Sequence, residues 1–484
     1  MSFSIGLLAL VGICYVLYRS YHAARKNYST RAFAESHHCA PVYNADGPLP
    51  WGLQRTYRML TARKRDEDIL DDILLPPIEA HHTLEHTMLG GKKIIETSEP
   101  QNCKTIYVTK FREYQVSEQR LRAFGSVTGT NTMTTNGAAW EHSRNMLKPQ
   151  FSKALVNNLG SVERELEILW AAIEHRGTSP EGWTDQFDIA PLFYRFVTDA
   201  ASDFLFGESI GSQTAYLEKD LLGPGRLQPS HAERVGGEEF TRAYEYCTSV
   251  ITLRMRLQIP GFLLNTKAFR KNRDILRSLP DKYIEKALSG NHVREGLKYD
   301  LLSTLVEQTR DATELKDQAL SIFNAGRDVT GTLLLWTTLL LGQHPQVFQK
   351  LRSTIKKHFP PGEPSIQDPI KLRGCRYLQH VLQESLRVYT PVPINTRQAL
   401  RDTVLPVGGG PDGSQPIVVR KGQLVMMHTH SMHRRKDIWG DDALEFKPER
   451  WENWSELAQN GAMFAPFSAG PRNCIGRRLS REYP

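Results

Sequence analysis

Residues 464–484 read FAPFSAGPRNCIGRRLSREYP. Cys474 stands between Gly470 and Gly476, with Phe467 and Arg472 upstream. Glycines let a backbone turn tightly and approach a flat ligand closely. Backbone N–H groups in such a turn can point at a sulfur, and CIGRRLSRE can open a helix whose N-terminus favours a thiolate. Arg472 can pair with an acidic group of a ligand. A thiolate held this way suits a soft, strongly donating bond to iron. A cysteine buried beside a glycine turn would look the same, so this loop alone leaves both readings open.

The rest of the chain narrows the choice. It has 484 residues, 40% hydrophobic and 24% charged, a globular composition long enough for a large core. Length alone suggests about three domains, and no period of 20 to 50 residues marks a solenoid or propeller. The net charge of +8 comes without the clustered basic and aromatic residues a nucleic-acid surface requires, so nucleic acid is excluded as a partner. The excess is a solvated basic surface, or one turned to an anionic membrane or an acidic protein. The cysteines at 14, 39, 103, 247, 375 and 474 form no CxxC and no zinc spacing. A disulfide framework does not suit so large a chain, which places it in a reducing compartment with all but Cys474 as small buried apolar residues.

The N-terminus, MSFSIGLLALVGICYVLYRSYHAARK, is uncharged and mostly apolar over residues 3–18. As a helix it falls a little short of the ~30 Å hydrocarbon core, and Tyr15, Tyr18 and Tyr21 can extend it at the interface. Arg19, Arg25, Lys26 and Arg31 follow with nothing basic before them, which leaves the bulk of the protein on the cytosolic side. A cleaved signal peptide, the alternative reading, normally has a basic region before its apolar run and a small-residue cleavage site; here the first is missing. Residues 1–20 therefore read as a single membrane anchor and 21–50 as a linker stiffened by Pro48 and Pro50. Residues 51–484 read as one body, mainly helical with small β-sheets.

The clearest helix runs over about 314–342, and its apolar C-terminal half predicts burial at the centre of the fold. HPQVFQKLRSTIKKHF is amphipathic with Pro345 in a first-turn position, and KLRGCRYLQHVLQESLRVY predicts a further amphipathic helix. PIVVRKGQLVMMHTH reads as strand, RRKDIWGDDALEFKPERWE as irregular, and LPVGGGPDGSQP (405–416) as turn throughout.

Three motifs support the cysteine loop. In QESLR, Glu384 and Arg387 share a helical face. In FKPERW, Arg450 can complete a charge triad with Glu384. In GAAWEHSRNMLKPQF, Trp140 and Arg144 share a helical face, and their donors can hold two carboxylates of one ligand. Each is weak alone; together, in this order and spacing, they are specific.

The combination resembles the cytochrome P450 family of haem-thiolate monooxygenases. FSAGPRNCIG matches its FxxGxRxCxG loop, ESLR its ExxR, FKPERW its PERF-like segment, WEHSR its propionate-binding helix and AGRDVT its oxygen-binding stretch. The match spans about residues 50–484, and NTRQALRDTVLPVGGGPDGSQP with HRRKDIWGDDALEFKPERW further resembles the fungal microsomal branch that hydroxylates n-alkanes and fatty acids. The resemblance implies haem b with Cys474 as axial thiolate, in a loop carrying Phe467, Gly470 and Gly476. Trp140, Arg144, Arg397 and Arg472 would hold the propionates. Glu384, Arg387 and Arg450 would be structural. Asp328, with Thr330, would relay protons, and Ile322, Ala325, Ile394 and the loop FGSVTGTNTMTTNG would line the pocket; for Ile322, core packing explains the residue equally well. It also implies O2 as co-substrate, electrons from an NADPH-dependent reductase, a lipophilic substrate and the endoplasmic reticulum membrane.

Two departures from the family pattern stand out. Val329 occupies the position of the family's threonine: it has the shape without the hydroxyl, and Thr330 is turned about 100° from it. The family also continues past the cysteine with a full helix and a small sheet. Here about two turns remain, so the C-terminal part reads as truncated. The competing expectation is thus a catalytically impaired haem protein or a non-functional isoform.

Overall fold

The structure is a computed structural model that describes residues 21, 25, 28–151, 160–174, 182–217, 237–257, 261–289, 300–360, 369–453 and 463–477. The anchor read at 1–20 lies outside them. Among the described residues no helix is long and apolar enough to cross a membrane. The chain divides into two compact units, one of residues 1–115 and 394–432, the other of 116–393 and 433–484.

The first unit is built on a six-stranded mixed sheet of β1 (Tyr43–Asn44), β2 (Thr83–Thr87), β3 (Lys93–Thr97), β4 (Tyr114–Gln115), β5 (Ile394–Ala399) and β8 (Leu424–His428), in the order β1-β2-β3-β8-β5-β4. A separate antiparallel pair joins β6 (Thr403–Gly409) to β7 (Gln415–Val419). Strand β1 falls within the stretch read as a linker and runs parallel to β2. The expected strand PIVVRKGQLVMMHTH is two strands in two different sheets. The stretch read as turn from Leu405 onward is strand as far as Gly409: Leu405 is buried opposite Ile417, and a bulge absorbs the glycines. Strand β3 is central and buried almost throughout. It carries Glu96, on which Arg55 closes at 2.7 Å while His86 and His428 stand 3.3 Å away. Burial pushes that carboxyl up, but these three neighbours outweigh it and hold it below the usual carboxylate range. Arg55 comes from helix α1 (Leu53–Thr61), which buries none of its residues.

The second unit is helical. Its longer helices are α2 (Glu118–Thr128), α3 (Gly137–Leu147), α4 (Gly160–Glu174), α5 (Ala190–Phe206), α6 (Gly237–Leu257), α7 (Lys267–Leu288), α8 (Ala312–Gln343), α9 (Pro345–His358) and α10 (Arg376–Val388). Helix α8 starts where the Asp311 carboxylate accepts the N–H groups of Thr313 and Glu314, and α9 opens on Pro345 as expected. The main core gathers Leu147, Phe206, Phe269, Leu301 and Phe323 from five segments. Two expectations are corrected here. KLRGCRYLQHVLQESLRVY is not one helix: a six-residue helix ends at Gly374, and Cys375, with ψ 81°, breaks the ladder before α10. Helix α8 buries its N-terminal half, whereas from Thr330 onward only Gly331 and Leu340 are buried and Leu339 is exposed. The all-apolar half is thus half-covered all round rather than buried, with Leu333, Leu334 and Leu335 packed on neighbouring clusters and Trp336 stacked on Tyr389.

Candidate active site

The cysteine loop is shaped by two left-handed residues, Ser468 (φ 59°) and Gly470 (φ 68°). At Gly470 a side chain would be strained; Gly476 lies instead in a 3₁₀ turn over Ile475–Arg477. The Cys474 N–H donates to the Phe467 carbonyl at 2.9 Å, which closes the loop. The Arg477 N–H donates to the Cys474 carbonyl at 3.3 Å, and the backbone N–H groups of Gly476 and Arg477 favour a thiolate at Cys474. Burial pushes the thiol above its ordinary value, against these two N–H groups and the Arg144 charge. Yet Cys474 is exposed. The two facts agree if the residue is walled by protein on most sides and open on one. Beyond Arg477, where a helix is expected, the residues are not among those described.

Around the loop the charges are arranged by partners the sequence does not reveal. Trp140 is buried on α3, with the Arg472 guanidinium 4.4 Å and that of Arg144 5.8 Å from its ring. Arg144 donates to the Asn473 carbonyl at 2.9 Å and to Asn473 Oδ1 at 2.6 Å. Arg472 Nη2 donates to the Thr135 carbonyl at 2.9 Å and to Asn136 Oδ1 at 3.0 Å. Asn473 and Asn136 therefore lock the loop to α3. Reasoning from the sequence passed over both, since Asn473 fills an undefined position of the motif. Arg397 and Ile394 lie on β5 in the first unit. Arg397 is buried, and its hydrogen bonds go to Asn395 Oδ1 and the Thr396 carbonyl.

Next to the loop lies the charge layer. Glu384 takes Arg387 Nε and Nη2, each at 2.8 Å, the Lys447 N–H at 3.0 Å and Trp451 Nε1 at 2.9 Å. Arg450 Nε stands 3.5 Å away, so the expected triad forms, with Arg450 at its looser edge. Trp451 is a further member that the sequence reading missed, although it follows Arg450 directly. Phe467 packs with Leu386, Trp439, Trp451 and Phe464, and His433 Nε2 accepts the Ala465 N–H at 3.0 Å. The charge layer and the cysteine loop thus share one apolar cluster.

On α8, Ala325 and Thr330 are exposed and Val329 is half-buried, while Arg327 and Gly331 are buried. A side chain added at Gly326 would meet nothing. One face of a helix at the centre of its unit therefore borders open space. Ile322 is half-buried and packs on the main core. Asp328 sits on the flank, bonded to Arg327 and Tyr244.

These residues fit a large, flat, dianionic group with a metal at its centre. Cys474 is exposed in a loop whose backbone N–H groups favour a thiolate, and α8 has an open face of small residues. Arg144 has no carboxylate partner among the described residues, its bonds going to neutral oxygens. Burial lowers the basicity of Arg144, so a counter-anion would stabilise it. A sequence model of the family described as Cytochrome P450 matches residues 82–482. The chain belongs to the cytochrome P450 family. It is similar to cytochrome P450 52A10 of Candida maltosa, 36% identical over 94% of this chain and 86% of that protein. Cytochrome P450 monooxygenase g430 of a Fusarium species is 36% identical over 89% and 75%, and cytochrome P450 52E1 of Candida apicola 34% over 89% and 81%. As a P450 the chain is a monooxygenase whose family works with a haem-thiolate iron and dioxygen.

Proposed function

We propose that this P450 inserts one oxygen atom of O2 into a long-chain lipophilic substrate, an n-alkane or fatty acid, at the cytosolic face of the endoplasmic reticulum. Electrons come from NADPH through a reductase. Haem, when bound, supplies the reductive activation of dioxygen. In this reading Cys474 is the axial ligand, and the backbone N–H groups of Gly476 and Arg477 temper the charge on its sulfur. Arg144, Arg472 and Trp140 hold the propionates, and Arg397 joins them on the strength of the resemblance. Glu384, Arg387 and Arg450 keep the layer behind the loop rigid. Asp328 and Thr330 serve proton supply, and Ile322, Ala325 and Ile394 line the substrate pocket. Residues 1–20 anchor the chain, 21–50 lead from the anchor, and 51–484 form the haem-thiolate part.

The observation that carries this reading is Cys474, exposed and tied through Asn473 to Arg144, which has no carboxylate partner among the described residues. Support for the membrane comes from α1. Leu53, Tyr57 and Leu60 are exposed there at 42%, 64% and 55%, and Trp51 in the turn before it at 67%, beside Arg58, Arg63, Lys64 and Arg65. Aromatic and aliphatic residues flanked by cations suit an anionic lipid surface. The test is a reduced carbon monoxide difference spectrum of the full chain. A Soret band typical of thiolate-ligated haem is expected; no haem uptake would leave the non-functional isoform.

A further inference from the structure

Asp328 has both carboxylate oxygens engaged. Oδ1 accepts Arg327 Nη1 at 2.9 Å, and Oδ2 accepts the Tyr244 hydroxyl at 3.0 Å. The same hydroxyl lies 2.8 Å from Asn324 Oδ1. One phenolic proton is thus shared between two acceptors a helical turn apart on α8. Tyr244 comes from α6, is buried, and packs edge-on against Phe323 at 5.7 Å. Burial and the neighbouring Asp328 charge keep its phenol protonated far above the ordinary range, so it stays a donor. Arg327 is equally constrained. Its Nε donates to Thr198 Oγ1 at 2.7 Å, and its guanidinium lies 5.0 Å from the Tyr194 ring and 4.4 Å from that of Tyr244. Glu245, exposed at 61%, stands 3.7 Å from Arg327 Nη2 on the solvent side.

We propose that Tyr244 is a positioning residue that restrains proton supply: its hydroxyl holds the Asp328 carboxylate on the flank of α8. That flank is one residue, about 100°, from Val329 on the half-open side. Each oxygen keeps a second acceptor site for water, but the two bonds fix the carboxylate on the flank and so fix where it meets water. Without the hydroxyl, Oδ2 is free to turn towards the open face, accept a proton from a hydronium of the solvent and pass it to a second water there. The donor hydronium becomes water, the carboxylate returns to its ionised form, and the net change is one proton carried from solvent to the open face. The proposal rests on the monooxygenase reading for its consequence, but the restraint itself is a property of the folded chain.

The experiment uses the full chain and Tyr244→Phe, which keeps the ring contacts and removes one oxygen. Carboxyl groups are labelled with a water-soluble carbodiimide and a glycine ester and read by mass spectrometry. Losing one charge-assisted hydrogen bond should raise labelling of Asp328 about tenfold, with Asp317, bonded to Arg277 and Thr130, as an unchanged internal control. In the haem-loaded protein, product per NADPH should rise about twofold or more, with substrate affinity from the spin-state titration unchanged. Unchanged Asp328 labelling overturns the proposal. So does raised labelling with an unchanged or lower product ratio, a fall showing that the hydroxyl belongs to the proton path. If Tyr244→Phe does not fold, Asn324→Ala decides. It removes the competing acceptor, so Asp328 labelling and product per NADPH should both fall, and a rise in either overturns the proposal. A chain that takes up no haem overturns the monooxygenase reading instead, and labelling alone then decides whether Tyr244 restrains Asp328.

Discussion

Arg387 lies fork to fork on Glu384, Nε and Nη2 each 2.8 Å from one carboxylate oxygen, and neither side chain reaches solvent. The remaining guanidinium hydrogens go to the carbonyls of His433, Ala443 and Glu445. One pair thus gathers α10 and the segment before the cysteine loop. Removing Arg387 leaves Glu384 charged and buried, with Arg450 at 3.5 Å as its remaining cation. Arg387→Leu should therefore destabilise the protein by about 3–5 kcal/mol, seen as a lower midpoint in denaturant unfolding. Trp451→Phe removes one donor of several and should cost about 1–3 kcal/mol. If the two variants unfold at the same midpoint, the layer is not organised by the pair.

Cys474→Ala should abolish the thiolate-type spectrum, because no other described cysteine is exposed in a loop whose backbone N–H groups favour a thiolate. The residue is exposed, so the unfolding midpoint of the haem-free chain should hardly move. A surviving spectrum would show that iron is held elsewhere.

Glu165 and Asp199 form a buried acidic pair. Burial and the Asp199 charge push Glu165 up to about 7, and burial pushes Asp199 up to about 6. The folded state therefore holds protons that the unfolded chain has released. The stabilisation is complete below about pH 4 and is lost as pH rises towards 7. Glu165→Gln keeps an acceptor for Gln213 Nε2, which now donates to Glu165 Oε2 at 3.0 Å, and removes the titration. Its stability relative to the unmodified chain should rise between pH 4.5 and 7 in urea melts at fixed ionic strength. A flat difference would mean that the pair is not protonated in the folded protein.

Val329 fills the volume of a threonine and donates nothing. Heterolytic O–O cleavage needs protons, and a positioned donor is worth roughly 10²- to 10⁴-fold in such a step. The unmodified enzyme should be poorly coupled, with much of the oxygen leaving as hydrogen peroxide. Val329→Thr should raise product per NADPH with little change in substrate affinity. Of the two nearby hydroxyls, that of Thr332 is bonded to Tyr194 at 3.1 Å, and Thr330 is exposed and turned about 100° from Val329. An unaltered product ratio would shift attention to another donor.

Residues 1–18 and α1 should contribute separately to membrane binding. A chain starting near Arg19 should lose most of its binding to anionic vesicles and retain a salt-sensitive remainder. Replacing Leu53, Tyr57 and Leu60 by serine should remove that remainder, as measured by co-sedimentation. Complete secretion with cleavage near Ser20 would sink the anchor.

Much of the second unit was legible because its signals are local. The period of α8, the proline that opens α9 and the shared face of Trp140 and Arg144 depend on hydrogen bonds three or four residues apart. The break at Gly374–Cys375 was missed, since apolar spacing continues across it while the backbone turns away. Strand β6 was missed for the opposite reason. Its glycines read as turn, and only pairing with β7 across a bulge makes them strand.

By itself, then, the sequence determined the family and the order of motifs around Cys474, because each motif is a short pattern whose spacing carries its chemistry. Tertiary structure decided the partners. Asn473 meets Arg144 across 329 residues, Trp451 meets Glu384 across 67, and Tyr244 meets Asp328 across 84. Those pairings depend on how whole helices pack, and no local period encodes which side chain will stand opposite a buried charge once they do.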